Sequence, residues 1–141
     1  MYTKLKEEKN MDKTVKKMLK LARKARENAY APYSKFKVGA CIVTKNGNFY
    51  IGANAENSAS PEGTCAETNA IGAMVSAGDR EIESIVLIGP EHKFITPCGG
   101  CRQRLAEFSF RDVSVYLFDD DDNMREMTVG ELLPESFSLD A

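Results

Sequence analysis

The sequence predicts an α/β protein: a three-layer α-β-α arrangement with a mixed sheet of about five strands. Three observations lead there. Helical and strand-like patterns alternate along most of the chain. An Asn46-Gly47 pair separates two apolar stretches, as in a hairpin. Residues 82–118 then read strand, helix, strand, a unit that favours a right-handed parallel crossover. Together these put helices on both faces of one sheet.

At 141 residues the chain is expected to form a single domain, 1–141. Its 43% apolar and 28% charged residues are ordinary for a globular protein. A net charge of -2 argues against nucleic acid as the main partner. Residues 1–11, rich in Lys and Glu, are expected to form a flexible N-terminal extension. They contain no apolar run that could serve as a signal or enter a membrane.

Asp12 is positioned to cap the first helix. Val15, Met18, Leu19, Ala22 and Ala25 give that helix an apolar stripe to about Ala29, with Lys and Arg on a solvated outer face. Pro32 ends it. Val38 to Thr44 and Phe49 to Ala53 are the hairpin strands, and Asn54 to Thr64 is a polar loop. The second helix is expected from about Cys65 to Ala77, with Ala66, Ala70, Ala73 and Ala77 as a small face against the sheet and Gly78 as its stop. Ile82 to Gly89 is apolar throughout, as in a central strand covered on both faces. A loop, Pro90 to Pro97, leads to a third helix from about Gly99 to Phe108. Val113 to Phe118 is a strand, Asp119 to Asn123 an acidic turn, and Met124 to Thr128 a short edge strand. Val129 to Leu133 is a last short helix before Pro134.

Chemistry concentrates in two stretches, Thr64-Cys65-Ala66-Glu67 and Pro97-Cys98-Gly99-Gly100-Cys101, each where a loop enters a helix. The pair Cys98 and Cys101 can turn toward one tetrahedral zinc, and Cys65 adds a third thiolate. Three protein ligands leave one position open for water, as a catalytic site requires. Glu67 is spaced to face the metal without binding it, where it can take and return a proton. Three thiolates make zinc electron-rich, and the helix N-termini offset that with backbone N–H groups.

Other readings of these residues remain. Two disulfides would use four cysteines, but a chain of this size needs no staples, and clustered thiols suit a reducing, cytoplasmic setting. A lone Cys-x-x-Cys could also be a redox pair or half of a structural zinc site. Cys41, in mid-strand, reads as core, and His92, in a polar loop, as a solvated residue. The run Asp119 to Asp122 lacks the spacing of a calcium loop and reads as a solvated turn.

Cys65-Ala66-Glu67, followed 33 positions later (98 minus 65) by the Pro-Cys-Gly-Gly-Cys stretch, resembles the zinc-dependent cytidine deaminases of the small three-cysteine type. Pro32-Tyr33-Ser34, Phe36-Lys37-Val38-Gly39-Ala40, Asn54-Ala55-Glu56-Asn57, Cys101-Arg102-Gln103 and Glu131-Leu132-Leu133-Pro134 extend the resemblance over roughly residues 30–137. A zinc-activated water with a non-ligating Glu is the general pattern of such deaminases.

The resemblance implies a deaminase-like fold and hydrolytic deamination of cytidine or 2′-deoxycytidine in pyrimidine salvage. It implies Zn2+ on Cys65, Cys98 and Cys101, with Glu67 catalytic. Phe36 would pack on the base, Asn54 and Glu56 would hold the ribose hydroxyl, and the backbone of Cys65 and Ala66 would meet the base edge. Homotetramers with shared sites are also implied, with Phe137 reaching a neighbour's pocket. Without the resemblance, Asn54 is a turn residue and Phe36 a core aromatic.

Two positions depart from the family: Thr68 stands where Arg is common, and Ser60 where Tyr is frequent. Arg102 and Arg104 are candidates for the missing positive charge. The alternatives are a related aminopyrimidine substrate such as blasticidin S, editing of cytosine in nucleic acid, and a zinc-stabilised binding module without catalysis. The acidic net charge disfavours editing. Glu67 has no purpose in a binding module, so its replacement by Gln separates that reading from an enzyme.

Overall fold

A computed structural model of the chain describes residues 12–91 and 93–139. The expected N-terminal extension and the reading of His92 lie outside the described residues. Five strands form one sheet in the order β2-β1-β3-β4-β5. They are β1 (Gly39–Thr44), β2 (Phe49–Ala53), β3 (Ile82–Ile88), β4 (Ser114–Phe118) and β5 (Met124–Thr128). The β3–β4 pair is parallel, and β1–β2, β1–β3 and β4–β5 are antiparallel. The strand–helix–strand unit thus makes the expected parallel pair, and β5 lies at an edge.

Helix α1 (Lys13–Glu27) begins where Asp12 accepts a hydrogen bond from the Val15 N–H at 2.8 Å. It ends short of Ala29 because the chain there turns to pair with the loop beyond β2: Tyr30 N–H donates to the Asn54 carbonyl, and Glu56 N–H to that of Tyr30. Its predicted stripe is buried. Alternation along the strands divides the core in two. Cys41, Val43, Val86, Ile88 and Phe118 face α1. Ala40, Ile42, Ile85, Leu87, Val115 and Leu117 face the layer of α2 (Ala66–Ser76), α3 (Gly99–Glu107) and α4 (Val129–Leu132). Cys41 is core, as expected, and burial pushes its thiol up to about 12.

Two glycines set the spacing of the layers. A Cβ at Gly39 would lie 2.0 Å from the Ala22 carbonyl oxygen of α1. A Cβ at Gly52 would lie 2.3 Å from the Ala66 carbonyl oxygen and 2.4 Å from the Ala70 nitrogen of α2. Both helices therefore rest directly on strand backbone at these points.

The structure corrects one expectation and adds detail to two others. The packed face of α2 is Ala66, Glu67, Ala70, Ile71 and Met74, while Ala73 and Ala77 are exposed. The larger Ile71 and Met74 bury more apolar area than the alanines would, so they win the seat against the sheet. The polar loop 54–64 is partly ordered, with a bridge between Ala55 and Thr64 and a 3-10 turn at Ser60–Glu62. The acidic turn has Asp120 and Asp121 exposed, as expected, and is also tied to α1. Asp120 pairs with Arg26 at 2.7 Å and Asp122 pairs with Arg23, which also brings those two arginines in from the solvated face of α1. Asp119 is buried and accepts from the backbone of Asp121 and Asn123.

The stop at Gly78 takes a specific form. Gly78, at φ +96°, donates to the Val75 carbonyl, and Asp79 N–H reaches back to that of Met74. This is a Schellman ending. It delivers the buried Asp79 carboxylate to the β1–β2 hairpin. There it accepts hydrogen bonds from Asn46 at 2.6 Å, Tyr50 at 2.7 Å, Asn48 at 2.9 Å and Thr44 at 3.1 Å.

Candidate active site and metal centre

Cys65 is the N-cap of α2 and Cys98 that of α3, each with extended backbone and neither inside its helix. Cys101 follows in the first turn of α3 and is fully buried. The crossover that places α3 beside α2 brings the three together: their Sγ atoms all lie within 4.8 Å of one another. All are free thiols, and Cys65 Sγ stands 3.8 Å from Cys98 Sγ. A disulfide would need about 2.05 Å. Two sulfurs at about 2.3 Å from a tetrahedral zinc stand about 3.8 Å apart. The spacing fits a metal and excludes a bond.

The electrostatics agree. Burial pushes the Cys101 thiol up, and the charge of Glu67 adds to it. Burial likewise raises Cys65, followed by the charge of Cys98. Cys98 goes the other way because the Cys101 backbone N–H faces it at the start of α3. Glu67 is 5% exposed, and burial raises its carboxyl. Four acidic groups thus crowd one place, an arrangement that a divalent cation resolves.

Glu67 shares a cleft of about 490 Å³ with Cys65 and Cys98. That is the size of a small-molecule site. Phe36, Asn54, Glu56 and Ala66 line it as well. Phe36 is 42% exposed and stands at the cleft, not in the core. Asn54 is a brace for it: its amide donates to the Phe36 carbonyl at 2.8 Å and accepts from the Val38 N–H at 2.9 Å. Glu56 accepts from the N–H groups of Tyr33 and Ser34, and from the Ser34 hydroxyl. Those bonds, the Ser34 hydroxyl first, hold its carboxyl below the usual range. Phe137 lies outside this cleft, with its side chain exposed and its backbone paired to Gln103.

The cleft also uses Ser34, Ile95 and Thr96, which the sequence reading did not single out as site residues. Ile95 and Thr96 immediately precede Pro97-Cys98, and that adjacency was the available signal. Arg102 does not face the sulfurs. It donates to the carbonyls of Pro97 and Leu132, clasping the approach loop to α4. Arg104 folds back over Gly100, where an added Cβ would lie 2.9 Å from its Nη1. Its positive charge partly opposes the rise at Glu67.

Residues 12–117 match the family model for the cytidine and deoxycytidylate deaminase zinc-binding region. A cytidine deaminase of Sporosarcina psychrophila is 42% identical over 124 residues, covering 88% of this chain and 91% of that protein. One of Halalkalibacterium halodurans is 40% identical over 123 residues, covering 87% and 93%. The crystal structure of a cytidine deaminase from Burkholderia pseudomallei superposes with a TM-score of 0.83 at 38% identity, over 90% of this chain and all of that one.

Proposed function

The chain belongs to the zinc-dependent cytidine deaminase family, whose members are hydrolases, and on that footing we propose that it converts cytidine and 2′-deoxycytidine to uridine and 2′-deoxyuridine. The observation that carries this is the 3.8 Å separation of Cys65 and Cys98 Sγ, with Cys101 and the buried Glu67 beside them. The names of the relatives favour cytidine over blasticidin S.

In this reading Cys65, Cys98 and Cys101 hold the metal. Zinc held there would supply Lewis acidity for the activation of water. Glu67 accepts a proton from the attacking water at its carboxylate and returns it to the departing amine nitrogen. One water is consumed, the C4–N bond gives way to C4=O, and ammonia leaves. Burial suits Glu67 to this work, because it raises the carboxyl's affinity for the proton it must take up. Phe36 covers the base, the backbone at Cys65 and Ala66 meets its edge, and Asn54 and Glu56 hold the sugar. Their existing hydrogen bonds fix them in place before a nucleoside arrives.

The proposed setting is pyrimidine salvage in the cytoplasm, where thiols stay reduced. The assembly is a homotetramer, and the exposed Phe137 completes a neighbour's site. Among the described residues no helix is long and apolar enough to cross a membrane. The deciding assay follows ultraviolet absorbance and ammonia with cytidine, 2′-deoxycytidine, cytosine, blasticidin S and adenosine. The two cytidines should be consumed with one ammonia each. Turnover of blasticidin S alone, or of none of the five, overturns the reading.

A further inference from the structure

The three sulfurs are not equivalent in their surroundings. Thr68 lies one helical turn after Cys65, and its Oγ1 is 3.5 Å from Cys101 Sγ. Cys65 and Cys98 stand 3.8 Å apart, and the Cys101 backbone N–H faces Cys98. The sulfur that Thr68 meets is the most buried of the three. A buried thiolate left without a donor bears its whole charge in a poorly solvating place. A metal ligand is a thiolate, its proton released on binding, so with Cys101 as a ligand the only hydrogen in the Thr68–Cys101 contact is that of the hydroxyl.

We propose that Thr68 is a positioning residue for the metal centre, its hydroxyl donating to Cys101 Sγ so that this sulfur is both oriented and less electron-donating. The contact joins α2 to α3, so one hydrogen bond also fixes the two helices that carry the sulfurs. The idea rests on the metal reading given above. It assigns Thr68 itself a duty toward the cysteines, and it needs neither Arg102, which is engaged elsewhere, nor Arg104, which stands over Gly100.

The test replaces zinc with cobalt(II), whose sulfur-to-metal charge-transfer band reports how strongly the thiolates donate, independently of turnover. Thr68→Val keeps the shape and removes the hydroxyl, and Thr68→Ser keeps the hydroxyl. The band should move to longer wavelength in the Val protein and return in the Ser protein. With zinc, kcat should fall about tenfold in the Val protein while KM changes less than about twofold. Should the Val protein fail to fold, Thr68→Ala takes its place in the same comparison. An unmoved band in the hydroxyl-free protein overturns this proposal alone, and so does a shift that Ser does not reverse. A missing sulfur-to-cobalt band in the unaltered protein overturns the metal reading, and this proposal with it.

Discussion

Helix α2 has a buried carboxylate at each end, and the two live in opposite surroundings. Asp79, just past the C-terminus, takes four hydrogen bonds from side chains, and these, Asn46 foremost, hold its carboxyl far below the usual range. Glu67, in the first turn, is raised by burial, and the donors facing it are its own N–H and the Cys101 sulfur. Both are about 5% exposed, yet burial leads at Glu67 and hydrogen bonds lead at Asp79. A carboxylate whose lone pairs are filled by fixed donors is a fastener, whereas one left short of donors is ready to exchange a proton.

The contrast can be broken at either end. Glu67→Gln should lower kcat by about 10³-fold or more, within the range of lost general acid–base catalysis. Zinc content should persist and thermal stability should hold or rise, because a neutral amide is cheaper to bury. A large loss of stability would make Glu67 a fastener too. Gly52→Ala acts between the two ends. The new Cβ collides with α2 backbone at 2.3 Å and 2.4 Å, so the helix must shift. A displacement of the first turn carries Cys65 and Glu67 with it, and kcat should fall about 10- to 100-fold along with stability. Asp79→Ala should lower the melting temperature by at least about 5 °C while kcat stays within about twofold. A loss of turnover without a loss of stability would remove the distinction.

The smallest effect is a matter of pH. The folded Asp79 holds its charge more firmly than the unfolded chain does. Its contribution is therefore whole above about pH 5 and drains away as pH falls through and below the ordinary carboxylate range near 4. Unfolding free energy measured between about pH 5 and pH 3 should fall less steeply in Asp79→Ala than in the unaltered protein. Equal slopes would mean that the hairpin donors do not stabilise the charge.

The two ends also differed in how far the sequence revealed them. Cys65, Glu67, Cys98 and Cys101 carry rare chemistry at short spacings, so their meaning survives without coordinates. Asp79 sits beside a helix-stopping glycine, and its donors Thr44, Asn46, Asn48 and Tyr50 read as ordinary residues of a tight hairpin. Nothing local says that these two places meet, because the contacts span 29 to 35 positions. Arg26 and Asp120 were hidden for the same reason. The strands were plain from apolar runs, with β2 and β5 matching their expected bounds residue for residue. The face of α2 misled because alanine spacing alone does not weigh the larger Ile71 and Met74.

Gly39 and Gly52 face opposite helices across the first hairpin, and at both points main chain meets main chain. Such a joint has no side chains to swap, so it cannot be loosened or tightened by exchanging one apolar residue for another of different bulk. Drift in the sequence can rework Val43, Ile85 or Leu117 while the gap between α1 and α2 stays fixed. A redesign aimed at heat resistance would therefore have freedom across much of the interior, and none at these two bare positions.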